Sequence, residues 1–309
     1  MLVEGMVSVA CRAMATRFEI ALWGASEERL RAAGEEALAE VQSWEARLSR
    51  FQPSSDIYDV NMRAAREPVR VDARVFALLE RVRLLADVTH GAFDVTVGSL
   101  RRIWGFDGDA GRVPTAEELE SARALVGMHL VHLHPEDLSV RLARPGVELD
   151  LGAVGKGYAV ECAAALLRDA GIPGALIHGG TSTIQAIGHA PDGRPWHVGI
   201  RHPGDRTSLV GVAYVTDCAL SVSAPHGKNF HAGGHTYGHV LDPRSGRPVE
   251  GILLAAVRCT SATESDALST ALLVLGEPFA QEIAHRAMGA GSLLCMGTHG
   301  LERVIATAW

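Results

Sequence analysis

Apolar positions recur at helical spacing across residues 26–48, where Leu30, Ala33, Ala37, Leu38, Val41, Trp44 and Leu48 share one face. Ser26 suits the N-cap, and Glu27 and Glu28 suit the positive end of the helix dipole. The same period over 73–88 groups Val75, Phe76, Leu79, Val82 and Ala86, with Gly91 just beyond. Thr115-Ala-Glu-Glu118 reads as a capping box opening a short helix to about Leu125. Further helices are predicted over about 154–170, 263–275 and 278–288, the last with Pro278 in its first turn. Strand patterns fall at 17–22, 147–151, 175–178, 196–200, 209–215, 253–258, 292–296 and 303–307. Strands crowd the second half, and neighbours without an intervening helix imply antiparallel pairing. The pattern predicts an α+β fold of mixed, largely antiparallel sheets with packed helices, not a doubly wound parallel sheet. No repeat, low-complexity tract or Ser/Pro linker divides the chain.

Composition narrows the class without giving a function. The 309 residues carry 29 Lys and Arg against 36 Asp and Glu, a formal net charge of −7. At roughly 100–200 residues per domain, this length fits two domains or one large one. An apolar fraction of 47% with 21% charged residues is that of a chain burying a real core. The mild acidity argues against a nucleic-acid surface, which needs clustered Lys and Arg. No apolar run approaches the roughly 20 residues that span a bilayer. Residues 1–18 include Glu4 and Arg12 and lack the apolar stretch of a secretion signal. The sequence as it stands therefore reads as cytoplasmic, or as periplasmic if a leader has been removed. Cys11, Cys162, Cys218, Cys259 and Cys295 are scattered and form no C-x-x-C, which predicts reduced, buried thiols.

Four stretches are candidates for chemistry. In Leu149-Asp-Leu-Gly-Ala-Val-Gly-Lys-Gly-Tyr158 a short apolar strand ends in a carboxylate, passes through glycines and opens a helix. A helix start offers N–H groups and positive dipole to phosphate, and Lys156 adds a cation there. The spacing is not that of a Walker A loop. Asp150 and Lys156 together favour a nucleotide site over a plain strand–turn–helix junction. In Thr263-Glu-Ser-Asp-Ala-Leu-Ser-Thr270, Asp266 and Thr270 stand four apart and share a helix face. The pair suits Mg²⁺, but spacing alone favours a cap and a Thr bonding back to the i−4 carbonyl. Four of the fourteen histidines fall in a loop at 226–239. Zinc ligation and a general base beside a phosphate are both open for this loop, with His226, His231 and His235 reading as solvated. Asp242-Pro-Arg-Ser-Gly-Arg-Pro248 is a turn signature that would fix His239 just ahead of it. Gly91-Ala-Phe-Asp-Val-Thr-Val97 reads by itself as a helix end leading into a strand.

As a set, the motifs are more specific than any one of them. Met14-Ala-Thr-Arg-Phe18, Leu48-Ser-Arg-Phe51, the 91–97 and 149–158 segments, His239-Val-Leu-Asp-Pro-Arg-Ser-Gly-Arg-Pro248 and Ser265-Asp-Ala-Leu-Ser-Thr-Ala271 follow one another in a known order. With them the chain resembles the FAD:protein FMN transferase (ApbE-type) family over about residues 14–276. The resemblance implies a T-fold-related architecture and a single catalytic unit over 1–309, with two lobes sharing one FAD site. It implies Mg²⁺-dependent cleavage of the FAD pyrophosphate, transfer of FMN to a Thr or Ser hydroxyl of an acceptor flavoprotein, and release of AMP. FAD hydrolysis to FMN and AMP, or FAD binding without catalysis, are the alternatives; a zinc hydrolase built on the histidines is a distant third.

The resemblance also assigns roles. It implies that Met14, Phe51, Ala92, Phe93 and Asp94 contact the flavin or adenosine side of FAD. Asp150 and Lys156 would bind FAD after the central strand, and Val240 would line its path past the histidine turn. The Ala153 carbonyl and the side chains of Asp266 and Thr270 would ligate the metal, overriding the reading from spacing. His239 falls where the family helps activate the acceptor hydroxyl, and a neutral imidazole can accept that proton. Phosphoryl-type transfer depends on positioning and on neutralising phosphate charge, which a metal and Lys156 supply. The sequence departs from the family's common form at Ile177-His-Gly-Gly-Thr-Ser-Thr183, at Ser221-Val-Ser-Ala-Pro-His-Gly-Lys-Asn-Phe230, and in lacking a recognisable signal peptide or lipobox.

Overall fold

A computed structural model describes residues 5–108, 111–205, 207–225, 227–286, 290–298 and 301–309. Its centre is an eight-stranded sheet in the order Met6–Ala13, Thr16–Trp23, Gly174–Gly179, Thr183–Ile187, Ala219–Ser223, Ile252–Cys259, Gly291–Thr298 and Leu301–Thr307. Every neighbouring pair is antiparallel. Period-two alternation gives the sheet two apolar faces: Ala255 and Val257 enter one core, Leu254 and Ala256 the other. The first core holds the helices Glu27–Leu48, Gly155–Asp169 and Ala262–Leu275. The second is closed by a hairpin of Trp196–Arg201 with Leu209–Val215. A smaller cluster, including Leu100, Trp104 and Leu241, ties the helices Gly98–Ile103 and Ala116–Arg123 to the turn after His239.

The helices follow the apolar period closely. Glu27–Leu48 buries Leu30, Ala37, Leu38, Val41 and Trp44, and Ala73–Val88 buries Val75, Phe76, Leu79 and Val82. Burial contributes about 1.5–3 kcal/mol per large side chain, against tenths of a kcal/mol from propensity, so the stripe decides the helix. Both hydrogen bonds of the Thr115–Glu118 capping box form. The last helix spans Glu277–Arg286, and its expected end at 287–288 lies outside the described residues. All five cysteines are free, and burial pushes the Cys259 thiol up to about 12.

Three expectations are corrected. Residues 147–151 form no ladder strand: Glu148 makes one isolated parallel bridge to Val97. The extended backbone is satisfied by a side chain instead, because Asn61 accepts from the Leu149 N–H at 2.7 Å and donates to its carbonyl at 2.9 Å. On the other edge the Asp150 N–H donates to the Val95 carbonyl and the Gly98 N–H to the Glu148 carbonyl. Residues 91–97 likewise turn rather than extend, since Asp94 caps the Thr96 N–H and the chain enters the helix Gly98–Ile103. The histidine-rich stretch is not a loop but a hairpin, Asn229–Ala232 with His235–Gly238. Gly233 and Gly234 hold φ of 57° and 79° at its turn, where two left-handed residues match the twist of the strands.

The helices Gly155–Asp169 and Ala262–Leu275 touch at Gly157. A Cβ there would lie 2.3 Å from the Ala262 carbonyl oxygen and 2.7 Å from Asp266 Cβ. Gly157→Ala in an open helix would gain about 0.5–1 kcal/mol, but forced overpacking costs about 1–3 kcal/mol. Net destabilisation is therefore expected, read as a lower urea midpoint with an unchanged m-value; an unchanged or higher midpoint would contradict this close approach.

Candidate active site

A cavity of about 490 Å³ opens at one end of the sheet. Its walls come from the 92–101 turn and helix, the 150–156 turn, the 181–182 connection, residues 222–224 with Gly227, the 239–243 turn and the helix bearing Asp266 and Thr270. Residues from Ala92 to Thr270 thus meet around one space, although their elements are far apart in the chain.

One wall, at Arg101 and Asp150, is backed by a chain of charges. Asp150 Oδ1 accepts from the Gly152 N–H at 2.8 Å, which shapes the turn entering the helix. Asp150 Oδ2 lies 2.8 Å from Arg101 Nε and 3.3 Å from Arg50 Nε. The Arg50 side chain is only 6% exposed and also pairs with Asp107 and, at 2.6 Å, with Glu148. Arg102 neutralises Glu148 further at 3.1 Å. Buried charges are tolerable when paired in this manner.

The facing wall carries Asp266, which is 4% exposed. Its carboxylate accepts from the Gly157 N–H at 2.9 Å and the Thr183 hydroxyl at 3.2 Å. Burial nevertheless raises the Asp266 carboxyl above its ordinary range, against the opposing pull of Lys156. The anion is under-compensated by the protein alone, which is the environment a hard cation relieves. The Thr270 hydroxyl donates to the Asp266 main-chain carbonyl at 3.3 Å, as its spacing predicts, and sits 3.2 Å from Ser223 Oγ. Among the described residues no three His, Cys, Asp or Glu side chains gather as a metal cage. Asp266 and Thr270 line the cavity together with Ala153, and a carboxylate with a hydroxyl is a sparse oxygen set of the kind that fits Mg²⁺ completed by phosphate and water, not zinc.

His239 closes the site. Its Nδ1 lies 3.3 Å from the Pro225 carbonyl and 3.2 Å from the Lys228 carbonyl. The Lys228 N–H also approaches Nδ1 at 3.3 Å, which would need the other tautomer. Two carbonyls against one N–H, all at 3.2–3.3 Å, favour the proton on Nδ1, which leaves Nε2 as the acceptor. Burial, then the charge of Arg101 and that of Lys156, hold the imidazole below its ordinary 6.5. The other described histidines of the stretch lie outside the cavity walls: His231 bonds Thr236 Oγ1 at 2.8 Å, and His235 is exposed beside Tyr237. His226 lies outside the described residues.

Ala92, Phe93, Asp94, Asp150, Ala153, Lys156, His239, Val240, Asp266 and Thr270 all line the cavity. Lys156 Nζ donates to the Gly152 carbonyl at 3.2 Å, across the turn it follows. The Asp94 carboxylate is occupied locally by Thr96 and by the Met128 N–H at 3.0 Å, so it shapes the wall. Met14 and Phe51 do not line it. Met14 forms a hairpin turn with Ala15, both at positive φ, and its N–H donates to Glu45 Oε1 at 2.7 Å. Phe51 is 68% exposed beneath the Arg50 guanidinium. Arg50, Arg101, Thr183 and Ser223 went unread in the sequence. Arg50 stands inside the Leu48–Phe51 motif, where its charge was the available signal; Arg101 and Ser223 follow no pattern that marks them.

The fold and this cavity define an antiparallel α+β protein with a charged, ligand-sized pocket at the end of its sheet. The chain belongs to the ApbE family, whose model matches residues 14–293. It is 31% identical over 241 residues to the FAD:protein FMN transferase of Vibrio cholerae, covering 77% of this chain and 71% of that one. To the FAD:protein FMN transferase of Treponema pallidum it is 33% identical over 265 residues, covering 79% and 72%. The crystal structure of the ApbE protein of Thermotoga maritima superposes with a TM-score of 0.87 at 28% identity, over 95% of this chain and 96% of that one. The flavinyl transferase ApbE of Pseudomonas stutzeri gives 0.84 at 26% identity, over 98% and 94%.

The depressed His239 value gives a direct expectation. Followed by NMR, the His239 imidazole should titrate below 6.5, staying neutral at pH 7 and gaining its proton only on acidification. Because the folded form resists the charge, stability from this residue is full above 6.5 and falls as pH drops through its folded value. A midpoint at or above 6.5 would contradict the buried, cation-flanked setting.

Proposed function

We propose that this chain is an FAD:protein FMN transferase that takes FAD as substrate and Mg²⁺ as cofactor. FMN goes through its phosphate to a Thr or Ser hydroxyl of an acceptor flavoprotein, and AMP leaves. The observation that carries this reading is the convergence, in one cavity, of the under-compensated Asp266, the cations Arg101 and Lys156, and a neutral His239. Kinship with proteins named for this activity supports it independently.

The residues divide the work. Asp266, Thr270 and the Ala153 carbonyl would hold the cation, which when bound neutralises phosphate oxygens and polarises the phosphorus under attack. Lys156 adds a fixed positive charge beside the same carboxylate. His239 Nε2 accepts the acceptor hydroxyl proton as the new O–P bond forms and the pyrophosphate P–O bond breaks. Ala92, Phe93 and Val240 supply apolar wall for flavin or adenine, with Asp94 and Asp150 fixing the turns that present it. Met14 and Phe51, outside the described cavity, would meet the flavin only where it extends past the rim. Because walls from Ala92 to Thr270 build one pocket, the reading treats 1–309 as a single catalytic unit with two lobes.

Incubation with FAD, Mg²⁺ and an acceptor flavoprotein should add one FMN to the acceptor by intact mass, with AMP released in equal amount. Asp266→Asn should slow this by at least about 100-fold, since loss even of a supporting metal contact costs 10–100-fold. FMN and AMP appearing without an adduct would indicate hydrolysis instead, and FAD bound without turnover would indicate a binding protein.

A further inference from the structure

Arg101 lines the cavity from the six-residue helix Gly98–Ile103, and nothing in its sequence surroundings marks it. Its Nε faces Asp150 Oδ2 at 2.8 Å and Asp107 Oδ1 at 3.6 Å, an ion pair that leaves Nε without an aligned hydrogen-bond acceptor. Neither terminal nitrogen donates a hydrogen bond to any described residue. One edge of the guanidinium is therefore anchored while its two terminal N–H₂ groups remain available. Asp150 is itself held by Arg50 from another part of the chain and by the Gly152 N–H within its own turn.

An arginine in this state suits a particular ligand. The planar fork matches two oxygens of a phosphate, and a pre-positioned side chain loses little entropy on engaging them. Arg101, Lys156 and His239 all line the one cavity, and both cations act on the imidazole. By contrast its neighbour Arg102 is 59% exposed and spends its charge on Glu148 outside the cavity. A purely structural role would use the terminal nitrogens to bridge elements, as Arg50 and Arg81 do.

We infer that Arg101 is a phosphate-binding residue of this site, its fork gripping the pyrophosphate of the dinucleotide while Asp150 holds its Nε edge. This rests on the FAD reading of the cavity and adds a binding residue to it.

The test measures FAD affinity by flavin fluorescence, and inorganic pyrophosphate as competitor, in the full-length protein and in Arg101→Gln, Arg101→Lys and Arg102→Gln. Arg101→Gln should weaken FAD about 10- to 100-fold and raise the pyrophosphate inhibition constant by a similar factor. Arg101→Lys, keeping the charge without the fork, should fall between, and Arg102→Gln should stay within about twofold. Should Arg101→Gln fail to fold, the lysine variant still reads the loss of bidentate contact. Unchanged FAD affinity in either Arg101 variant overturns the inference and leaves the flavin reading standing. Weaker FAD with unaltered pyrophosphate competition, or no competition in the unmodified protein, assigns Arg101 a structural role. No FAD binding by the unmodified protein removes the flavin reading itself, and the inference with it.

Discussion

The hydrogen bond from the Gly157 N–H to the buried Asp266 carboxylate joins the two helices that bring Lys156, Asp266 and Thr270 to the site. It exists because residue 157 has no side chain: any Cβ would collide with the Ala262 carbonyl. The close approach brings the start of one helix, with Lys156 and the 150–153 turn, against the second turn of the other, with Asp266, one turn ahead of Thr270. It also answers part of the desolvation of Asp266, whose carboxyl still stands above its ordinary range. A helix start that by sequence looked free for phosphate is thus partly occupied by protein, and it is the carboxylate there that the proposed function assigns to a cation.

A second constraint acts across the cavity. Arg50 is buried between Asp107 and the Glu148–Asp150 segment, two separate parts of the chain. Such a cluster contributes little net stability relative to an apolar core, but removing its centre would leave Asp107, Glu148 and Asp150 with only their contacts to Arg101 and Arg102, at a cost of up to about 3–5 kcal/mol. Its consequence is geometric. Asp150, the last residue of an extended segment held by the Asn61 side chain, cannot shift without disturbing the whole group. Arg101 takes its orientation from this fixed carboxylate. The cations that line the cavity, Arg101 and Lys156, stand among the carboxylates Asp94, Asp150 and Asp266, so they offer an anion local placement and not an excess of positive charge.

Much of this was legible in the residues themselves. Apolar periodicity located the long helices within a residue or two, and crowded strand signals indicated antiparallel pairing. Short elements were hidden where long-range partners decide them: Thr183–Ile187 and Ala219–Ser223 are central strands because each finds the other across many residues, not because of alternation. Residues 147–151 look like a strand and are extended, yet their partner is an asparagine side chain, which no local pattern reveals. In the site, Asp150, Lys156, Asp266, Thr270 and His239 were readable as an ordered set of motifs. Arg101 was not, since an arginine on a short helix is ordinarily a solvated residue. Spacing alone correctly gave the Thr270 hydroxyl its bond to the i−4 carbonyl, and only the tertiary structure shows the same hydroxyl at a cavity wall.

The central claim is that Asp266 and Thr270 mark a cation site serving a bound dinucleotide. Crystals grown with FAD and Mn²⁺ in place of Mg²⁺ would test it through the anomalous signal of manganese. The account predicts a single strong peak about 2.1 Å from the Asp266 carboxylate, with a phosphate oxygen of the ligand completing its shell. FAD density in the cavity without such a peak, or a peak among the hairpin histidines instead, would contradict it.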